Sequence, residues 1–268
     1  MKVVLFSGGL GLRLREYSDA IPKPMIPIGV RPILWHVMRY YAAFGHKDFI
    51  LCLGYRSDVV KSYFLDYSEA ISNDFVMSDG GRSLELLGSD IQDWRITFAD
   101  TGVHTIVGQR LRAIRPHVED EEMFLANYGD TLTDAHLPDL VAAFERSDAV
   151  AAFLAVRPTY SFHVVETGGG GEVTAIRSVE EADTRINGGY FIFRRQIFDY
   201  LREGEELVEE PFRRLIDEGR LLAFRHDGFW APMDTLKDKQ DLDLRHERGD
   251  APWEVWLRDG ARERADEA

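Results

Sequence analysis

The sequence predicts an α/β fold built on a mixed, mainly parallel sheet with helices on both faces. Three observations carry that prediction. The chain opens on an unbroken apolar run, Val3 to Phe6, that stops at Gly8 and Gly9, as a strand buried on both faces stops at a turn. Stretches with apolar residues at helical spacing then alternate with further short apolar runs, the pattern of helical crossovers between parallel strands. The chain has 268 residues, 45% of them hydrophobic, with 16 Phe, 10 Tyr and 5 Trp, so it can bury such a sheet despite a charged fraction of 29%.

The elements follow in order. Residues 1–7 read as the first buried strand, and the glycine turn after it leaves from the strand's carboxyl end. Over 32–44, Leu34, Val37, Met38 and Tyr41 recur at helical spacing, with Gly45 as a stop. Strand 48–54 and a helix through 59–63 come next, then strands 95–99 and 123–127 on either side of a helix near 109–115. Helix 137–146 leads to a strand over 150–156. The run Gly168 to Gly171 separates apolar stretches 162–166 and 173–176 and predicts a hairpin connection. A strand at 190–193, helices at 198–201 and 211–218 and a strand at 221–224 complete the reading. No internal repeat is visible, so residues 1–257 are expected to form one domain, and the charged residues 258–268 a flexible tail.

Charge and composition exclude several classes. Asp and Glu outnumber Lys and Arg by 46 to 32, and a net charge of -14 opposes general binding to nucleic acid, whose phosphates recruit basic surfaces. A phosphate site in this chain has to be built locally. Cys52 is the only cysteine and lies in an apolar run, which predicts a buried thiol and suits a reducing cytoplasm. The first apolar run is too short for a secretory signal, and charges interrupt every stretch that approaches the roughly 20 residues a membrane span needs.

The turn Gly8-Gly9-Leu10-Gly11-Leu12-Arg13 lets backbone amides approach an anion closely, with Arg13 adding a fixed positive charge. It matches neither the dinucleotide fingerprint nor the phosphate loop, since no third glycine falls at Leu14 and no Gly-Lys-Ser/Thr occurs. Taken alone it is equally a plain tight turn. Downstream, Pro22-Lys23-Pro24 frames a lysine between two φ-restricted residues on a segment stiffened against helix formation, where an extended linker is the alternative.

Together these residues resemble the sugar-phosphate nucleotidyltransferase family, with a closer match to its glucose-1-phosphate cytidylyltransferase branch. The resemblance runs over about residues 1–257 and rests on separated motifs in order: Pro-Ile-Leu-Trp-His at 32–36, Lys-Asp-Phe-Ile at 47–50, Asp-Thr-Gly at 100–102, Tyr-Gly-Asp at 128–130, Ile-Asn-Gly-Gly at 186–189, Phe-Trp-Ala-Pro-Met-Asp-Thr-Leu at 229–236 and Ala-Pro-Trp at 251–253. It implies a Rossmann-like fold of the nucleotide-diphospho-sugar transferase type, CTP as donor, a sugar 1-phosphate as acceptor with glucose 1-phosphate favoured, and a homo-oligomer. It also implies that Asp130 and Asp234 hold Mg²⁺, a hard cation that takes one or two carboxylates plus phosphate oxygens and water. Arg13 and Lys23 are then the catalytic cations, and Gly8, Gly9, Gly11, Arg110 and Gly129 fall to the nucleotide. Tyr128, Asn187 and Gly188 fall to the acceptor, with Gly188 leaving room for a ring. The nucleophile, a phosphate monoester with a second pKa of about 6, is already ionised and needs no general base.

Two stretches depart from the family pattern. Where the family carries a Glu-Lys-Pro lysine for the acceptor's phosphate, this chain reads Arg177 to Arg185 with no lysine and three acids. Arg177 or Arg185 is the available substitute. Residues 158–165 lack the glycine-containing sugar segment and carry His163, and Leu12 replaces a small hydroxyl residue. A remodelled acceptor pocket is therefore expected, and a different sugar, a cyclitol phosphate or a phosphonate is the second acceptor reading. A nucleotide-sensing homologue without turnover is the non-enzymatic one.

Overall fold

The first strand illustrates how the sheet is built. In the computed structural model, which describes residues 1–9, 21–159, 163–179 and 184–257, β1 (Lys2–Phe6) lies inside a seven-stranded sheet. Val3 and Leu5 face one hydrophobic cluster, while Val4 and Phe6 face a second on the opposite side. β2 (Asp48–Leu53) does the same, with Phe49, Leu51 and Leu53 on one side and Ile50 and Cys52 on the other. Strands covered on both faces are why these segments read as unbroken apolar runs.

The remaining sheet strands are β3 (Arg95–Asp100), β4 (Met123–Asn127), β5 (Ala151–Val156), β6 (Ile186–Arg194) and β7 (Leu221–His226). Their order is β7-β5-β6-β4-β1-β2-β3. β1 runs parallel to β2 and β4, β2 to β3, and β5 to β7, while β6 is antiparallel to both its neighbours. The mixed, mainly parallel sheet expected from the sequence is the one observed. Helix α1 (Ile33–Ala43) supplies much of the first cluster, and α2 (Ser57–Leu65) adds Val60. The second is closed by α3 (Val107–Ala113), the segment around Phe198, and α5 (Glu210–Asp217); α4 (Leu137–Glu145) packs on the first side through Leu137 and Phe144. Cys52 is fully buried, and burial pushes its thiol up to about 12, so it is an inert core residue as expected.

Several boundaries differ from the sequence reading. The strand expected at 190–193 extends back to Ile186, because β5 pairs with it as far as Ile186 and the Asn-Gly-Gly segment bends within the strand at Gly189 (φ +77). The helix near 109–115 starts at Val107 and gives way at Ile114, where Pro116 seeds a second short helix, Arg115–Val118. The Lys23 segment, expected to resist helix formation, makes one 3₁₀ turn, Lys23–Met25, closed by Met25 N to Pro22 O at 2.8 Å. A single turn asks no amide of Pro24, so the prolines permit it. The hairpin around Gly168 to Gly171 is present as His163–Thr167 against Val173–Ser178. A second hairpin, Phe75–Ser78 with Ser83–Leu86, and helix α6 (Leu236–Glu247) were not read from the sequence. α6 is polar almost all round and buries only Leu242, so it carries no apolar stripe; its signal is the capping box of Thr235 and Asp238.

The tail motif Ala251-Pro252-Trp253 docks on α1. Trp253 is fully buried and its indole donates to His36 Nδ1 at 3.3 Å, while His36 Nε2 donates to the Ile28 carbonyl at 3.1 Å. Both ring nitrogens of a neutral imidazole are thereby used. Burial holds His36 down to about 4 from its ordinary 6.5, with nearby His246 adding to the fall. A lowered histidine binds fewer protons folded than unfolded, so its contribution is complete above pH 6.5 and is lost as pH falls toward 4. The expected loss from this one group is about 3 kcal/mol over that window. Urea unfolding at pH 7.5 and pH 4.5 should show a smaller pH-dependent fall for His36→Gln than for the parent; equal falls would exclude the assignment.

Candidate active site

Asp130 and Asp234 are 104 positions apart in sequence, and a two-stranded antiparallel ribbon brings them together. Thr131–Thr133 pairs with Trp230–Pro232 so that Pro232 lies opposite Thr131. Asp130 immediately precedes one strand and Asp234 follows the other by two residues, which puts both at the same end of the ribbon. Met233 N donates to Asp130 O at 3.0 Å and pins that end.

Lys23 fills the gap between them. Its Nζ lies 2.6 Å from Asp130 Oδ2 and 2.5 Å from Asp234 Oδ1, with the lysine side chain only 14% exposed. The 3₁₀ turn that carries it is anchored by buried Met25 and by Ile33 N donating to Ile26 O at 2.9 Å. Burial alone would depress the lysine, but Asp130 and Asp234 outweigh it, and the ammonium is held above its ordinary value. Burial likewise raises the Asp130 carboxyl; Lys23 pulls against that rise and Asp234 adds to it, and the net shift is still upward. Two carboxylates converging at one place form the kind of oxygen donor set that a divalent cation would take.

Three loops leave the carboxyl ends of β1, β2 and β3 and meet beside this cluster, with Arg110 of α3 at their centre. Its guanidinium donates to Gly8 O at 3.0 Å, Leu53 O at 3.2 Å and Thr101 Oγ1 at 2.7 Å, and only 3% of the residue is exposed. Gly8 is required by this packing, since a Cβ there would stand 2.0 Å from an Arg110 nitrogen. Arg110 builds the loop that presents Gly8 and Gly9, and it also lines a cavity of about 450 Å³ with Gly9, Tyr128 and Asp130. Thr101, its partner, was not singled out in the sequence beyond its place in the Asp-Thr-Gly motif.

Gly129 (φ +78) turns the chain from β4 into Asp130, and its amide donates to Asn127 Oδ1 at 2.6 Å. Asn127 was missed as a site-building residue; an Asn two positions before a turn amide is its signal. Asn187 joins Tyr128, donating from Nδ2 to its hydroxyl at 3.1 Å while its own Oδ1 accepts from Gly189 N at 2.9 Å. Gly188 departs from expectation. The space beside it is taken by Leu154 O and Val156 at 3.0 Å and by the Trp230 indole, which donates to Gly188 O at 2.8 Å, so it is a packing glycine and leaves no room at its own Cβ for a ring. Arg13 and Gly11 lie outside the described residues, as do Leu12, residues 180–183 and the tail 258–268.

The proposed substitutes for the missing lysine are engaged elsewhere. Arg177 pairs with Glu166 across the exposed hairpin. Arg185 donates to Ala155 O at 3.3 Å, His226 O at 3.1 Å and Asp227 at 2.7 Å, beyond the ends of β5 and β7. His163 is exposed at the start of the same hairpin as Arg177.

A parallel sheet that collects a glycine turn, a lysine and two carboxylates at its carboxyl edge defines a class of proteins that handle nucleotide phosphates there. Residues 2–238 match the family described as Nucleotidyl transferase, and the chain belongs to that family. It is 36% identical over 258 residues to the glucose-1-phosphate cytidylyltransferases of Salmonella typhimurium (strain LT2) and Salmonella typhi, covering 96% of this chain and 100% of theirs. The fold is also that of a UDP-glucose pyrophosphorylase solved with UDP-glucose, at a TM-score of 0.66 and 14% identity over 92% of this chain and 98% of that one.

The cluster yields a direct prediction. Replacing Lys23 by Met removes the ammonium that both carboxylates share, so Lys23→Met should melt at a lower temperature than the parent, and added Mg²⁺ should raise its melting temperature by more than it raises the parent's. Identical Mg²⁺-induced shifts in the two proteins would show that the carboxylates and the metal do not share a site.

Proposed function

We propose that the protein transfers CMP from CTP to a sugar 1-phosphate, glucose 1-phosphate first among them, releasing pyrophosphate. The observation that carries this reading is the convergence of Lys23, Asp130 and Asp234 at the sheet's carboxyl edge, in a chain that aligns over the full length of enzymes named for that reaction.

In this scheme an oxygen of the acceptor's phosphate attacks the α-phosphorus of CTP, the bond from that phosphorus to the bridging oxygen breaks, and pyrophosphate departs with the electron pair. The nucleophile is anionic at neutral pH, so the chain's work is alignment and charge neutralisation. Asp130 and Asp234 are the residues that would hold Mg²⁺, which when bound neutralises phosphate charge and stabilises the leaving group. Lys23, displaced from the carboxylates, is positioned to meet the α-phosphate and the incoming phosphate. Arg13 is assigned to the triphosphate, and Gly8, Gly9, Gly11 and Gly129 to close backbone approach. Arg110 supports that loop. Tyr128 and Asn187 face the acceptor, with Gly188 as the packing contact beneath them. The reading includes a cytoplasmic homo-oligomer; separately, no described helix is long and apolar enough to cross a membrane.

One observation favours a second acceptor. With no lysine over 177–185 and both Arg177 and Arg185 engaged elsewhere, the phosphate of glucose 1-phosphate lacks its family partner. Another sugar phosphate, a cyclitol phosphate or a phosphonate is the alternative that this difference supports. A screen of CTP, UTP, dTTP and GTP against an acceptor panel, with product mass determined, tests both. Pyrophosphate release is expected with CTP and Mg²⁺, and Asp130→Asn, Asp234→Asn and Lys23→Ala should each lower kcat by on the order of a hundredfold or more. A different nucleotide in the main product would overturn the donor assignment, and saturable CTP binding without turnover on any acceptor would establish a sensor.

A further inference from the structure

Asn127 interrupts the apolar pattern of the sheet at its centre. It ends β4 after Phe124, Leu125 and Ala126, and it is fully buried between Leu5 of β1 and Tyr190 of β6, its partners in register. A buried amide is costly unless it is hydrogen-bonded, and the reaction scheme gives this one no task.

Asn127 Oδ1 accepts from Gly129 N at 2.6 Å, which closes the turn that leads into Asp130. That turn tolerates little else: Gly129 sits at φ +78, and a Cβ there would stand 2.9 Å from Ser7 Oγ. Tyr190, opposite Asn127, acts on the residue after Asp130. Its ring packs edge-on against Tyr40 of α1 with centroids 5.5 Å apart, and its hydroxyl donates to Thr131 O at 2.8 Å. The carbonyl of Asp130 itself accepts from Met233 N. The backbone is therefore held before, at and after Asp130, and two of these three holds come from one facing pair of buried side chains.

Asp234 is set by a separate device. Its amide and that of Thr235 donate to Asp238 Oδ2 at 3.0 and 2.8 Å, in the cap of α6. The distance between the two carboxylates thus depends on the sheet interior on one side and on a helix cap on the other. Both carboxylates reach a single Lys23 Nζ, at 2.6 and 2.5 Å, so they stand at a spacing that one cation can span. Loosening the Gly129 turn changes that spacing without altering either carboxylate.

We infer that Asn127 and Tyr190 are positioning residues, which together hold Asp130 at the spacing from Asp234 at which the two take a divalent cation. This rests on the nucleotidyl-transfer reading and its Mg²⁺ assignment. Asn127 is fully buried and Tyr190 only 5% exposed, so both act through the backbone around Asp130.

The test compares wild type with Asn127→Leu and Tyr190→Phe, and with Phe193→Leu as a control that loosens β6 from its other face. Binding of the Mn²⁺–CTP complex is followed by electron paramagnetic resonance as each protein is titrated in, a readout that needs no turnover. Thermal melts and the Mg²⁺ dependence of pyrophosphate release are measured alongside. Asn127→Leu leaves Gly129 N without its acceptor and should weaken Mn²⁺–CTP binding about tenfold or more. Tyr190→Phe keeps the ring and should weaken it by a smaller factor. In both, the Mg²⁺ concentration for half-maximal turnover should rise, and excess Mg²⁺ should restore much of the lost rate. Phe193→Leu should melt at a lower temperature and bind Mn²⁺–CTP as wild type does. Wild-type affinity in both positioning variants overturns the proposal, and so does an equal loss in Phe193→Leu, which would make the effect a general loosening of the core. Tyr190→Phe decides the matter if Asn127→Leu does not fold. Wild-type pyrophosphate release that needs no divalent cation, or no release with any donor, overturns the reading beneath the proposal, and that failure shows before any variant is compared.

Discussion

Two carboxylates on one half-buried ammonium form the constraint on which the carboxyl edge depends. Neither aspartate is stable there without a cation, because each is partly removed from water and each repels the other. The backbone around them serves this contact. The ribbon of Thr131–Thr133 and Trp230–Pro232 brings the acids to one end, and the 3₁₀ turn at Lys23 delivers the positive charge from the first tenth of the chain. The three side chains thus tie the end of the ribbon to the 3₁₀ turn across 211 sequence positions.

A second cation has the opposite role. Arg110 is almost wholly buried, and its described hydrogen bonds run to carbonyl oxygens and a hydroxyl, not to a carboxylate. Burial lowers its pKa, yet a guanidinium remains protonated in any protein, so the loops after β1, β2 and β3 are organised around a permanent charge. Three segments are tied to it, through Gly8 O, Leu53 O and Thr101 Oγ1. This explains the glycines at Gly8 and Gly54, where a Cβ would strike Arg110 or a neighbouring carbonyl, better than closeness to a ligand alone does.

The sheet was legible because burial on both faces writes itself as apolar runs, and β1 and β2 are visible in the sequence for that reason. Helix α6 was not legible, since an almost entirely polar helix leaves no periodic stripe and shows only its cap. The candidate site was legible residue by residue through the motifs around Lys23, Asp130 and Asp234, but their contact was not, because local pattern carries no information about a ribbon linking residues 131–133 and 230–232. Arg110 was legible as a site residue and illegible in orientation: an arginine on a short helix looks solvated until the loops that cover it are placed. The packing of Gly188 was illegible for a related reason, since a glycine that makes room for a ligand and one that packs against Trp230 are spelled alike.

The one antiparallel strand in the sheet has a geometric consequence for chemistry. Parallel strands present their carboxyl ends at the catalytic edge, so the loops after β1, β2, β3 and β4 carry the turn of Gly8 and Gly9, Thr101 and Asp130. A parallel β6 would place its first residues, Ile186 and Asn187, at the opposite edge. Reversed between β4 and β5, it begins where they end, and Asn187 arrives beside Tyr128. A single strand reversal therefore lets the entrance of one strand face the exits of its neighbours. Asn187 and the loops packed on Arg110 thus stand on separate stretches of backbone, so a substitution at one leaves the hydrogen bonds of the other in place.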